Sequence, residues 1–189
     1  MKTTTLAQIK YFGPNRNKWE RLLSGLGKTE ADTDVLPYSK ILEICGLYWT
    51  LWTTKTEDSL RWVSELALVY ARHVANFMTD PRSVGALNTA DRFLSGEASW
   101  EELSQAIDDA DNADYAGPAV CAASAVLFFG GYHRAAVFTA DTAEEAASLV
   151  FAHKAAEASR YDEAAKAEAI AAFDAEREWQ KQEFLRVVS

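Results

Sequence analysis

The amino-acid sequence predicts an all-α protein, a single-domain helical bundle that ends in a long C-terminal helix. Apolar residues recur at helical spacing between Leu60 and Met78, while Arg61, Glu65 and Arg72 fall on other faces. The stretch 141–189 contains neither glycine nor proline and consists mostly of strong helix formers. No segment shows the convincing two-residue alternation that a half-buried strand requires. We therefore expect helices to form nearly all of the regular structure.

Chain length and composition indicate the domain organisation. At 189 residues, of which 49% are hydrophobic, the chain can bury roughly 70% of its unfolded surface. Alanine is sparse before residue 60 and dominant after about residue 98. We expect one continuous domain with two parts, an aromatic-rich helical layer at 1–57 and an alanine-rich bundle at 58–189. Small residues in the second part let helix axes approach closely.

Proline and capping residues set the helix boundaries in the middle of the chain. The core helix should end near Thr79, because Pro81 disfavours helical geometry at the residue before it. Asp80 is then a good N-cap, and Pro81 a good first-turn residue, for a helix over 82–95.

A capping-box pattern predicts the next helix. The Ser99 hydroxyl and the Glu102 carboxylate have the spacing needed to accept each other's backbone N–H groups. Apolar residues of the following helix recur on one face, which should point inward. Gly117 and Pro118 begin a further helix that should run through Phe129 and stop at 130–131.

The two ends of the chain leave alternatives open. Residues 15–26 and 39–52 have the pattern of short amphipathic helices, although Tyr48–Thr54 is aromatic and β-branched enough for a short strand. From Asp141 to the C-terminus we expect one long helix, or two helices with a kink near Ser159.

Charge and cysteine usage indicate the cellular setting. A formal charge of −9 and an isoelectric point near 4.9 argue against nucleic acid or anionic membranes as ligands, since both attract positive surfaces. Cys45 and Cys121 lie in apolar stretches without metal or disulfide spacing. The N-terminal residues lack the apolar part of a secretory signal, and no uncharged apolar run reaches the roughly 18 residues of a membrane span. We expect a soluble, cytoplasmic protein.

Carboxylates are concentrated near the middle of the chain. The candidate partner-binding residues are Asp108, Asp109, Asp111, Asp114, Glu101 and Glu102. The spacing does not fit a calcium loop, which needs oxygen ligands at alternate positions, then a glycine and a terminal glutamate. Aspartates three residues apart repel each other, and the macrodipole disfavours anions at a helix C-terminus. A solvated acidic face and a partner-binding acidic patch are both open interpretations.

Catalytic and cofactor motifs are absent from the sequence. The three histidines, His73, His133 and His153, show no metal-ligand spacing, and no phosphate-binding or nucleophile motif occurs. We therefore predict no metal, no cofactor and no enzymatic activity. An enzyme with a carboxylate-lined helical cavity is the alternative, and its residues would be drawn from Glu144, Glu145, His153 and Glu157.

Three tryptophans, Trp49, Trp52 and Trp62, lie within fourteen residues of one another. We expect them to pack as an aromatic layer on the bundle, because aromatic side chains bury large areas. Any tryptophan that is exposed instead is a candidate anchor for a protein partner.

Two segments resemble known proteins. Lys18–Leu47 (KWERLLSGLGKTEADTDVLPYSKILEICGL) and Tyr70–Ser99 (YARHVANFMTDPRSVGALNTADRFLSGEAS) resemble alanine-rich helical proteins encoded by phages and prophages. The second segment is also similar to immunity-protein domains encoded near bacterial toxin loci. The resemblance implies a small acidic protein of the bacterial cytoplasm that neutralises a host defence complex, as anti-CRISPR proteins do, or a cognate toxin. It assigns no catalytic residue.

Two function hypotheses follow. The first is a non-enzymatic inhibitor whose carboxylates bind a protein partner with a basic surface, such as a nuclease or a nucleic-acid-guided complex. The second is a structural or scaffolding protein of a phage or host assembly. It would form homo-oligomers through one side of the C-terminal helix, with the residues Phe151, Ile170, Phe173 and Trp179.

Overall fold

The computed structural model describes residues 1–56, 61–128, 134–157 and 163–189. Ten α-helices make up most of these residues, so the all-α prediction is confirmed. The helices are α1 (Leu6–Tyr11), α2 (Arg16–Leu26), α3 (Tyr38–Cys45), α4 (Leu47–Thr53), α5 (Arg61–His73), α6 (Pro81–Leu94), α7 (Trp100–Asp111), α8 (Gly117–Leu127), α9 (Arg134–Glu157) and α10 (Glu163–Val188). The strands β1 (Thr3–Thr4) and β2 (Leu36–Pro37) form a short antiparallel pair.

A glycine divides the stretch predicted as one helix over 39–52. Gly46 has φ +80° and ψ 170°, a backbone conformation that residues other than glycine rarely adopt. It interrupts the helix, so α3 ends at Cys45 and α4 begins at Leu47. The prediction of one helix here is therefore wrong. The alternative of a short strand at Tyr48–Thr54 is also wrong, because Leu47–Thr53 form the helix α4. Within it the Thr50 hydroxyl donates to the backbone oxygen of Gly46 at 2.8 Å.

The capping signals in the middle of the chain act as predicted. Asp80 accepts the backbone N–H of Arg82 at 2.9 Å at the start of α6, and Pro81 occupies the first helical position. Both bonds of the Ser99–Glu102 capping box are present at the start of α7. The helix predicted to reach Met78 instead ends at His73, and a 3₁₀ turn over Ala75–Phe77 follows it. The helix predicted to run through Phe129 ends at Leu127, and the predicted limits at residues 60 and 130–131 lie outside the described residues.

The C-terminal third folds back on itself as a helical hairpin. Lys154 Nζ of α9 is 3.9 Å from Glu168 Oε1 of α10, and Gln180 Nε2 donates to the backbone oxygen of Ala143 at 3.0 Å. These pairings run antiparallel, which one continuous helix from Asp141 could not produce. The alternative of two helices is therefore correct, while the predicted kink near Ser159 lies outside the described residues.

Two large groups of buried side chains form most of the core, and Val63, Ala135 and Ala136 form a third, small one. In the alanine-rich part, α8 is buried almost all round, because it packs against α5, α6, α7 and α9. In the N-terminal part, larger side chains such as Tyr38 and Ile41 surround Phe184 and Val188 from the end of α10. The backbone N–H of Lys2 donates to the oxygen of Val188 at 2.7 Å, so the two ends of the chain meet in this second core.

No helix in the described ranges combines the length and the apolar character needed to cross a bilayer.

Candidate functional site

The six carboxylates predicted as a site lie together on the surface of α7 and of the turn that follows it. Two glutamates are in the first turn, three aspartates are in the last turns, and one aspartate follows the helix. All six are exposed, along a helix that is about 18 Å long. We call this surface the acidic face, which consists of Glu101, Glu102, Asp108, Asp109, Asp111 and Asp114.

The segment that contains the acidic face holds a large share of the net charge of the protein. Residues 81–116 contain eight carboxylates and two arginines, which gives six of the nine net negative charges of the chain. All eight carboxylates are exposed. A concentrated negative field of this kind attracts positively charged surfaces.

One of the six carboxylates has a clear role in the fold. Glu102 accepts the backbone N–H of Ser99 at 2.7 Å and lies 3.3 Å from the guanidinium of Arg92. The hydrogen bond from the Ser99 N–H is the main cause that lowers the pKa of Glu102 below its ordinary value, and Arg92 lowers it further. Glu101 is also favourably placed, since the positive end of the macrodipole is at the first turn.

The aspartates at the other end of α7 are placed where a helix disfavours them. Asp109 accepts a hydrogen bond from Gln105 at 2.9 Å, but no ion pair is found for the four aspartates among the described residues. Arg82 is the nearby cation, and its pKa is raised mainly by a hydrogen bond to Asp80 and further by the charges of Asp109 and Asp114. Because Arg82 is committed to Asp80 and to the Asn112 backbone oxygen, the aspartates stay largely uncompensated.

Exposed aromatic residues stand at both ends of the acidic face. Trp100, at the start of α7, is 53% exposed, and Tyr115, beyond its end, is 56% exposed. Tyr115 has φ +57°, a conformation that is rare for residues other than glycine. Large aromatic side chains are the residues that most often anchor protein interfaces, whereas Trp49 is buried and stacks on Trp52 as expected.

Negative charge continues from the acidic face towards α9. Burial is the main cause that raises the pKa of the Cys121 thiol to about 12, and the carboxylates of Asp141, Glu145 and Asp111 raise it further. The thiol is therefore almost wholly protonated near neutral pH.

Of the four residues proposed for a carboxylate-lined enzyme cavity, the three whose side chains are described do not converge. Glu144 forms an ion pair with Arg177 of α10, whereas Glu145 lies beside the first residue of α8. His153 lies against an aromatic ring of the 3₁₀ turn, and the side chain of Glu157 is outside the part of the chain that is described. Within the described ranges, no three side chains of metal-ligating type come together.

Three of the four residues proposed for self-association form an exposed apolar patch. Phe151 and Phe173 meet edge to face with their ring centroids 6.4 Å apart, and Ile170 beside them is 47% exposed. We call these three residues the apolar patch. Trp179 is not part of it, because its ring stacks on His73 with the centroids 3.5 Å apart.

Sequence reasoning missed a buried carboxylate in α10. Glu176 is 5% exposed, and its Oε2 lies 2.7 Å from Nδ1 of His73 in α5. Its Oε1 accepts a hydrogen bond from Gln180 at 2.9 Å. The available signal was the spacing of four that places Glu176 and Gln180 in line with the buried residues Phe184 and Val188.

Comparison with known proteins found no match to a family model, to a curated protein or to a solved structure.

Proposed function

We propose that this protein is a non-enzymatic inhibitor that binds a macromolecular partner with a basic surface through the acidic face. The observation that carries the proposal is the group of four exposed and largely uncompensated aspartates at the C-terminal end of α7. Their repulsion and the macrodipole act against them, so the fold gains little from their position.

The chemistry of the face fits a particular class of partner. Nucleases and nucleic-acid-guided complexes hold phosphate in positively charged grooves, and a row of carboxylates can occupy such a groove. The aromatic side chains of Trp100 and Tyr115 add apolar contact area at either end. The proposed biological settings are phage anti-defence, of which anti-CRISPR inhibition is one form, and toxin immunity.

A comparative capture experiment tests the proposal. The tagged wild-type protein and a variant with Asp108, Asp109, Asp111 and Asp114 changed to asparagine are incubated with bacterial lysate at low and at high salt. We expect the wild type to retain a basic partner at low salt and to release it at high salt. The asparagine variant should not retain this partner at either salt concentration.

A matched control keeps the test specific to the acidic face. The control variant changes the exposed residues Glu20, Glu30, Glu43 and Glu168 to glutamine, which removes the same charge from other surfaces. It should retain the partner like the wild type. If the asparagine variant retains every captured protein as well as the control does, the acidic face is not the binding surface.

Self-association through the apolar patch is a second candidate function, with the phage or host scaffold as its setting. The exposed contact between Phe151 and Phe173 favours it, because clustered exposed apolar residues commonly mark interaction sites. Sedimentation velocity should show an oligomer that dissociates when Phe151 and Ile170 are changed to serine, but not when the exposed Val35 is changed. A strict monomer at high concentration would exclude this candidate.

A further inference from the structure

A cleft separate from the acidic face holds the His73–Glu176 pair. The end of α5, the 3₁₀ turn, α9 and α10 line an open cleft of about 380 Å³. Its apolar walls include Val74, Phe77 and Val150, and its polar residues are His73, Asn76 and Glu176. A mostly apolar concave site with a few polar groups is the general form of a small-molecule site.

The imidazole of His73 is held in one orientation. Its Nδ1 lies 2.7 Å from Glu176 Oε2, so the N–H on Nδ1 donates to the carboxylate and the lone pair of the neutral ring is on Nε2. The indole of Trp179 covers one face of the ring at an interplanar angle of 11°. Among the described residues, none hydrogen-bonds to Nε2, and the side chain of His73 is 43% exposed.

Further contacts fix the carboxylate that orients His73. Gln180 is fully buried, and its Nε2 donates to both Glu176 Oε1 and the backbone oxygen of Ala143. The Tyr70 hydroxyl donates to the backbone oxygen of Gln180 at 3.0 Å. Each oxygen of Glu176 thus accepts one hydrogen bond, and the carboxylate positions the histidine.

This arrangement is costly for the fold. The side-chain oxygen of Gln180 is buried without a hydrogen-bond partner in the described part of the chain, and Glu176 is removed from water. Apolar residues at buried polar positions often give equal or greater stability, so stability alone does not explain the pair. An oriented imidazole beside an apolar cleft does have a use in ligand binding.

We propose that the cleft binds a small apolar molecule that carries one weakly acidic hydroxyl group, of the phenol class. The Nε2 lone pair requires a hydrogen-bond donor, and the apolar walls require an apolar body. If the proton of the ligand hydroxyl moves to Nε2, the resulting imidazolium is paired with Glu176 on one side and with the ligand oxyanion on the other. A weakly acidic hydroxyl is therefore bound whether its proton stays on the ligand or moves to His73.

A pair of probe molecules tests this inference on the wild-type protein. 4-Ethylphenol and 4-ethylanisole have closely similar apolar bodies, but only the phenol donates a hydrogen bond. Titration calorimetry should show the phenol binding about tenfold more tightly, since one hydrogen bond to an oriented acceptor contributes this factor. In nitrogen-15 NMR spectra, the Nε2 resonance of His73 should move with the phenol and not with the anisole.

Two variants assign the preference to the proposed residues. His73→Phe keeps an aromatic ring for Trp179 to stack on but removes Nε2, and it should bind both probes with equal affinity. The exposed Glu178 provides the control variant Glu178→Gln, which should keep the tenfold preference. Equal affinity of the two probes for the wild type, the absence of binding by either, or an undiminished preference in His73→Phe would overturn the inference.

Discussion

The protein places its carboxylates in two opposite environments. Those of the acidic face are exposed, crowded and nearly without cationic partners, whereas Glu176 is buried and hydrogen-bonded through both oxygens. An exposed carboxylate costs the fold little wherever it stands, so its position is free to serve a partner. A buried carboxylate must be held by its neighbours, and its removal disturbs them.

The largest expected effect is at Glu176. The change Glu176→Ala leaves a cavity and takes the acceptor from His73, so the free energy of unfolding should fall by about 2 kcal/mol. Urea unfolding measures this loss. The control Glu178→Ala, on the exposed side of the same helix, should change the free energy by less than about 0.5 kcal/mol. Equal losses of the free energy of unfolding in the two variants would contradict the distinction between the buried and the exposed carboxylates.

A smaller loss is expected at the capping box, in which Glu102 of the acidic face is held by Ser99. The change Ser99→Ala removes the acceptor for the Glu102 backbone N–H and should lower the free energy of unfolding by about 1 kcal/mol. Ser24, exposed within α2, provides the control Ser24→Ala, which should leave stability almost unchanged. An unchanged unfolding curve for Ser99→Ala would mean that the first turn of α7 does not depend on its cap.

A pH-dependent effect is expected at Asp80, beside the acidic face. Hydrogen bonds from Arg82 lower the pKa of Asp80 from 3.8 to about 2. Because the folded-state pKa is lowered, the carboxylate stabilises the fold fully above about pH 4 and loses this effect as the pH falls through 2. The difference in urea midpoint between wild type and Asp80→Asn should therefore be constant from pH 7 to 5. It should decrease towards zero as the pH falls to 2. A difference that does not vary with pH would contradict this.

The smallest effect is expected at the four aspartates. Changing Asp108, Asp109, Asp111 and Asp114 to asparagine removes repulsion and an unfavourable dipole contact, so stability should stay equal or rise by up to about 0.5 kcal/mol at low salt. The gain should shrink as salt is added. A loss of more than about 1 kcal/mol would show that these carboxylates support the fold.

Local signals in the sequence predicted much of the fold but little of its long-range contacts. The caps at Asp80 and Ser99 depend on neighbouring residues, and both are present as predicted. The break at Gly46 was missed because the apolar spacing continues through it, although its backbone has a positive φ. Likewise, the continuous helical propensity of 141–189 did not distinguish one long helix from two antiparallel helices.

The two candidate sites differ in the same way. Five of the six carboxylates of the acidic face lie on one helix, so helical geometry alone predicts that these five share a surface. The pair formed by His73 and Glu176 joins residues 103 positions apart, which only the packing of α10 on α5 and α9 brings together. A charged residue on the buried stripe of a helix is a useful sequence signal for such pairs, and Glu176 occupies such a position.

The central claim is that the acidic face is the surface that binds positive charge. The most direct measurement is an NMR titration of the nitrogen-15-labelled protein with a short lysine peptide at low salt. We predict backbone shifts concentrated at residues 100–115, which disappear in the four-asparagine variant and persist in the control that removes four carboxylates elsewhere. Shifts spread evenly over the negative surface, or unchanged in the asparagine variant, would contradict the claim.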